Sequence, residues 1–153
     1  MGLIDDLPPG RIGVDTALFI YFIEAAPPRA AIVRPLFRAA DVGQLELVTS
    51  AVTLLEVLVV PYRARNPALA ARYEALLTRS RGVRLIDITR SQLREAARLR
   101  AQTGLRTPDA LQLNAARAAN CAAFITNDRR LPTIPGLPVI QLSAYVCSVS
   151  TPL

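Results

Sequence analysis

Short apolar runs bounded by glycine, proline and polar residues alternate along this chain with longer stretches whose apolar positions recur every three or four residues. The short runs, Arg11–Val14, Leu45–Thr49, Val83–Ile88, Ala122–Thr126 and Pro138–Leu142, read as strands. Between them Thr16–Ala25, Ala51–Tyr62, Pro67–Ser80, Thr89–Thr103 and Pro108–Ala119 read as helices, and Leu69, Tyr73, Leu76 and Leu77 form one apolar stripe. The punctuation agrees. Asn66 and Thr107 each precede a proline suited to the first helical position, Thr89 and Gln92 have the spacing of a capping box, and Gly82, Gly104 and Asn120 follow helix ends. Proline at 35 leaves Arg29–Ala40 as a kinked or a late-starting helix. Strands alternating with helices predict an α/β fold, a mostly parallel five-stranded sheet flanked by helices on both faces. No repeat, low-complexity tract or linker interrupts the chain, so residues 1–153 are expected to form one domain with its core at about 11–142.

Glu56 breaks the pattern, a lone acid inside Leu54-Leu55-Glu56-Val57-Leu58-Val59-Val60. A strand would bury it on either face, and a helix would surround it with apolar neighbours on nearly every side, so it needs a cation or an exposed face. Three further acids fall where a strand ends or a helix begins: Asp15 before Thr16, Asp109 after Pro108, and Asp128 after Thr126-Asn127. Each has a plainer reading. Asp15 would serve as a helix cap, Asp109 as an acid favoured by a helix dipole, and Asp128 as a turn residue or ion-pair partner of Arg129 and Arg130. In an open parallel sheet, ligands bind beyond the carboxyl ends of the strands, where Asp15 and Asp128 are expected. Four carboxylates would then face one cleft. Asp5, Asp6, Glu24, Asp41, Glu46, Glu74 and Glu95 read as surface charges, and Asp87 as an acid at a strand end.

Composition removes several chemistries. The chain has no histidine, which excludes Ser-His-Asp and Cys-His catalysis, histidine-ligated metal and histidine-driven ribonuclease chemistry. All 18 basic residues are arginine, so a P-loop or Schiff-base lysine is also missing. The formal charge of +6 favours a polyanionic partner, and arginine's planar fork suits phosphate. Cys121 and Cys147 make neither a disulfide framework nor zinc-site spacing. No apolar stretch approaches the roughly 18 residues that span a bilayer, and the acidic start Leu3-Ile4-Asp5-Asp6 is unlike a signal peptide, so a cytoplasmic protein with no membrane partner is expected. A hydrophobic content of 52% is rich enough to suggest burial between subunits.

Four segments, in order, resemble the PIN domain, the nuclease fold of VapC-type toxins in toxin–antitoxin pairs. They are Val14-Asp15-Thr16-Ala17-Leu18-Phe19-Ile20, Thr53-Leu54-Leu55-Glu56-Val57, Pro108-Asp109-Ala110-Leu111-Gln112-Leu113 and Ile125-Thr126-Asn127-Asp128-Arg129-Arg130-Leu131. The resemblance implies a PIN-like three-layer fold and a ribonuclease dependent on Mg²⁺ or Mn²⁺. Its metal ligands and catalytic acids would be Asp15, Glu56, Asp109 and Asp128, with Thr126 as a hydroxyl group nearby. It further implies a homodimer inhibited by a small cognate antitoxin.

A hard cation takes oxygen ligands and retains waters, so carboxylates suffice without histidine or cysteine. Without metal, clustered carboxylates should repel one another and have raised pKa values. Arg11, Arg106, Arg129 and Arg130 are the candidate RNA contacts, each beside a site residue or its strand; Tyr21 and Phe22 are candidates for stacking on a base. Two other readings stand beside this one: a catalytically silent PIN-fold binding or regulatory protein, and a structure-specific DNA nuclease.

Overall fold

In the computed structural model, which describes residues 2–146, the strands are β1 (Arg11–Val14), β2 (Glu46–Ser50), β3 (Val83–Ile86), β4 (Ala123–Thr126) and β5 (Val139–Gln141). The helices are α1 (Leu3–Asp6), α2 (Thr16–Glu24), α3 (Arg29–Asp41), α4 (Val52–Arg63), α5 (Pro67–Arg79), α6 (Arg90–Thr103) and α7 (Thr107–Ala118), with a final 3₁₀ turn at Leu142–Tyr145. All strand pairs are parallel, in the order β3-β2-β1-β4-β5. The predicted α/β sheet is therefore present. Strand order reverses between β1 and β4, which opens a crevice at their carboxyl ends.

The period-two alternation of β1 sorts its side chains onto two cores. Ile12 and Val14 face a cluster that includes Leu18, Phe19, Leu36, Val57, Tyr73 and Leu77. Gly13 points the other way, where Leu99, Leu113, Ala116 and Phe124 pack from α6, α7 and β4. A Cβ on Gly13 would stand 2.7 Å from both Ala116 Cβ and Phe124 Cδ2, so glycine is what allows α7 to lie close on β1. That approach brings the start of α7 to the carboxyl edge of the sheet.

Several predicted features differ in the structure. Helix α3 starts at Arg29 and runs through Pro35 to Asp41. Thr107 lies inside α7, whose capping position is Arg106, whereas Asn66 and Thr89 cap as expected, accepting from the N–H groups of Leu69 and Gln92. Strand β3 stops at Ile86, leaving Asp87 exposed beyond it. Glu46 is not a free surface charge, because its carboxylate meets Arg11 Nε at 3.1 Å and Arg84 Nε at 3.0 Å. Cys121 is a buried free thiol, with its pKa pushed up to about 11 by burial; Cys147 lies outside the described residues. Among the described residues no single helix is long and apolar enough to cross a membrane.

Candidate active site

Asp15 directly follows β1, at the capping position of α2, yet its side chain does not cap that helix. Its Oδ2 accepts a hydrogen bond of 2.7 Å from the Thr126 hydroxyl at the end of β4, across the crevice where strand order reverses. The capping explanation thus fails for its carboxylate. Thr126 is fully buried and its oxygen also accepts from the Asp128 N–H at 3.0 Å, so one hydroxyl fixes the acid and the turn that carries Asp128. Burial pushes the Asp15 carboxyl above its usual value. Hydrogen bonds from Thr126 and the Thr16 backbone pull it down, and nearby Asp109 and Asp128 push it up.

Glu56 projects from α4 and is exposed, as are Leu55 and Val60 on the same helix. Of the two settings the sequence allows Glu56, a cation or an exposed face, the structure gives the exposed face: α4 leaves part of its apolar surface uncovered, and Glu56 stands at that margin. Its Oε1 accepts a 2.8 Å hydrogen bond from Thr16. The walls around the carboxylate raise its pKa, Thr16 opposes this, Asp15 and Asp109 add to it, and Arg106 offsets part of it.

Asp109 occupies the first turn of α7, with its Oδ2 3.2 Å from Arg106 Nε. Asp128 accepts from Arg130, through Nε at 3.2 Å and the backbone N–H at 2.9 Å, and its pKa is lowered by that side-chain hydrogen bond first. The expectation that every site carboxylate would be raised fails at Asp128, because two arginines, Arg130 and Arg106, lie beside it. Asp109, Asp128, Arg106 and Arg130 line one cleft of about 270 Å³.

The four acids thus share one edge of the sheet and feel one another's charge, but they do not form a finished ligand shell. Among the described residues no three acidic side chains are drawn together closely enough to hold an ion. The reason lies in their partners: Thr126 draws Asp15, Thr16 draws Glu56, Arg106 draws Asp109 and Arg130 draws Asp128. In chemical kind the donors fit a hard divalent cation, being carboxylate and hydroxyl oxygens.

The predicted basic contacts divide. Arg106 and Arg130 stand on the acidic cleft, and Arg129 is exposed beside it in sequence. Arg11 does not belong there. It is the first residue of β1, at the opposite edge of the sheet, where its guanidinium pairs with Glu46 and donates to the Ala119 carbonyl. Of the two aromatics, Tyr21 Oη accepts from Asn127 Nδ2 at 2.9 Å and Phe22 stacks on Phe37 at 4.2 Å.

Sequence reasoning missed a buried polar cluster under the site, formed by Thr16, Thr49, Thr53 and Gln112. The signal was available. Gln112 is a lone amide in Ala110-Leu111-Gln112-Leu113, the same anomaly that drew attention to Glu56.

The model of the PIN domain family matches residues 12–137. No curated protein matches the chain in sequence. Solved structures of similar fold include VapBC2 from Rickettsia felis bound to a promoter DNA fragment, with 20% identity, a TM-score of 0.64, and coverage of 86% of this chain and 98% of that one. DNA-bound VapBC from Salmonella typhimurium has 18% identity and a TM-score of 0.65, covering 88% and 99%. VapC20 from Mycobacterium tuberculosis, described as a Sarcin-Ricin loop cleaving toxin, has 19% identity and a TM-score of 0.64, covering 78% and 92%.

Proposed function

The chain belongs to the PIN domain family, and from that premise we propose that it is a Mg²⁺- or Mn²⁺-dependent endoribonuclease, the toxin of a type II toxin–antitoxin pair acting in the cytoplasm. The observation that carries this reading is the placement of Asp15 and Glu56, both with raised carboxyls, at the same sheet edge as Asp109 and Asp128. Asp15 and Asp109 would be the principal ligands of the ion, with Glu56 holding it directly or through water and Asp128 completing the set or orienting water. When bound, such an ion supplies a Lewis acid for the phosphate and lowers the pKa of an attacking water.

The protein's own groups do the rest. Thr126 holds the carboxylate of Asp15 and Thr16 that of Glu56, so each of these two acids has a set orientation. Arg106 and Arg130, exposed on the cleft, are positioned to take a phosphate in a two-pronged grip. With a formal charge of +6, the chain favours RNA over a neutral substrate. The VapBC assemblies among its structural relatives support a cognate antitoxin as partner, and the exposed Leu55, Val60 and Tyr62 of α4 offer it apolar contact next to the site. A homodimer accords with the high apolar content.

The test is cleavage of RNA by the purified protein with Mn²⁺, compared with Asp15→Asn and Asp109→Asn. Both variants should be silent, and undiminished cleavage by either removes the site assignment. If the wild type cuts structured DNA in preference to RNA, the DNA nuclease reading replaces this one. If it cuts neither yet binds a basic peptide, the silent binding protein does.

A further inference from the structure

Glu56 is exposed, so packing does not fix its carboxylate, and its hydrogen-bond partner is the buried hydroxyl of Thr16. A hydroxyl has one proton and rotates freely unless its lone pairs are taken. Thr53 Oγ1, 3.0 Å away, competes as an acceptor for that proton. Gln112 decides the competition. Its Nε2 donates to Thr53 Oγ1 at 2.6 Å and to Thr16 Oγ1 at 3.1 Å. With the Thr49 proton given to Gln112 Oε1, the 2.7 Å contact between Thr49 and Thr53 takes the Thr53 proton, and the Thr16 proton turns outward to the charged Glu56 carboxylate.

The direction of the amide is itself fixed. Its Oε1 accepts from the Ser50 backbone N–H at 3.0 Å, and a backbone N–H can only donate, so the NH₂ end must face Thr16 and Thr53. Thr49 reinforces this by donating to the same oxygen at 3.1 Å. Gln112 is 3% exposed and lies one turn beyond Asp109 on α7; Thr16 follows Asp15, and Thr53 shares α4 with Glu56. One amide therefore ties together the elements that carry three of the acids.

We propose that Gln112 is a positioning residue: its amide aims the Thr16 hydroxyl at Glu56 and so sets where the Glu56 carboxylate stands relative to Asp15 and Asp109. Its consequence for cleavage rests on the nuclease reading, whereas its effect on Glu56 does not.

The experiment follows the ¹³C carboxyl resonance of Glu56 in the full chain. Thr16→Val should move it, Thr16→Ser should leave it near the wild-type position, and Gln112→Met should move it in the same direction as Thr16→Val. An unmoved resonance in folded Gln112→Met, or in Thr16→Val, overturns the proposal. Should Gln112→Met not fold, Gln112→Asn, one methylene too short to reach Thr16, takes its place in the comparison. In the cleavage assay, loss of such a supporting group should lower kcat roughly 10–100-fold. It should cost almost nothing further in a Glu56→Gln background. An equal loss in both backgrounds marks a merely structural role and overturns the proposal. Absence of cleavage by the wild type would instead count against the nuclease reading, with the resonance still deciding the role of Gln112.

Discussion

Arg106 Nε lies 3.2 Å from Asp109 Oδ2, and the Nη2 of the same guanidinium is 3.9 Å from Asp128 Oδ2, so one arginine spans two acids of the cleft. Its side chain is 67% exposed, which makes the pairing weak and exchangeable. A divalent ion and this guanidinium would compete for the same oxygens. Arg106→Ala should therefore tighten Mn²⁺ binding. An exposed pair is worth at most ~1 kcal/mol, so the gain should not exceed about fivefold. Titration calorimetry reads it. The same substitution should weaken RNA binding and flatten its salt dependence, because a phosphate contact is lost. Weaker Mn²⁺ binding by Arg106→Ala would show that the arginine supports the ion site rather than competing for it.

Asp15 and Asp128 should have opposite effects on stability as pH changes. Asp15 has a raised pKa in the folded state, so between its ordinary value of 3.8 and that raised value the folded protein binds more protons than the unfolded chain. Stability from this group is present at low pH and is lost as pH rises through the folded value. Asp15→Asn, which keeps the shape and can still accept from Thr126, should thus raise the melting temperature at neutral pH and leave it unchanged under strongly acidic conditions. Every ~1 kcal/mol relieved corresponds to about 2–4 °C in a chain of this size. Asp128, lowered by Arg130, behaves the other way: its contribution is present above the ordinary carboxylate range and is lost as pH falls through its lowered value. Asp128→Asn should lower the melting temperature slightly at neutral pH. Melting curves of the two variants across pH settle both signs.

The acids were legible in sequence because a carboxylate stands out at a strand end or within an apolar run, and the parallel sheet collects strand ends at one edge. Arg11 was misjudged for a geometric reason. It is only four residues from Asp15, but a strand advances about 3.3 Å per residue, so β1 separates them by roughly 13 Å and puts them at opposite edges. Glu46 was misjudged because its two arginines, Arg11 and Arg84, come from other strands and pairing across a sheet leaves no local trace. Helix α1 has four residues, too short to announce itself by periodicity. The buried amide of Gln112 had a visible signal, yet its partners are drawn from three separate elements, and only the fold brings them together.

The approach of α7 to β1 at Gly13 ties core packing to the site. The Ala116 Cβ that a new methyl would meet is bonded directly to the backbone of α7 and cannot swing aside. Gly13→Ala should therefore push α7 away from the sheet and destabilise the protein by about 1–3 kcal/mol, the usual cost of overpacking a close-packed core. Urea unfolding should show a lower midpoint with an unchanged slope. Because α7 carries Asp109 and Gln112, the folded variant should also bind Mn²⁺ more weakly. Wild-type stability in Gly13→Ala would mean that the helix has room to move without cost.

The chemistry of the cut ends separates two routes for breaking RNA. Attack by the neighbouring 2′-hydroxyl needs a general acid–base pair and leaves a cyclic phosphate, whereas water attacking in line leaves a 5′-phosphate and a 3′-hydroxyl. The chain has no histidine, and two of its site acids, Asp109 and Asp128, line a cleft shared with Arg106 and Arg130. Cleavage should accordingly stop in EDTA and return with Mg²⁺ or Mn²⁺. It should not return with Ca²⁺, whose looser coordination orients water poorly. A 2′-deoxy substitution at the cut position should leave part of the activity, since that hydroxyl is not the nucleophile. End-labelled products should be substrates for 5′-phosphate-dependent ligation. Cyclic phosphate ends, or full activity in EDTA, would show that these carboxylates serve RNA cleavage by a route that needs no ion.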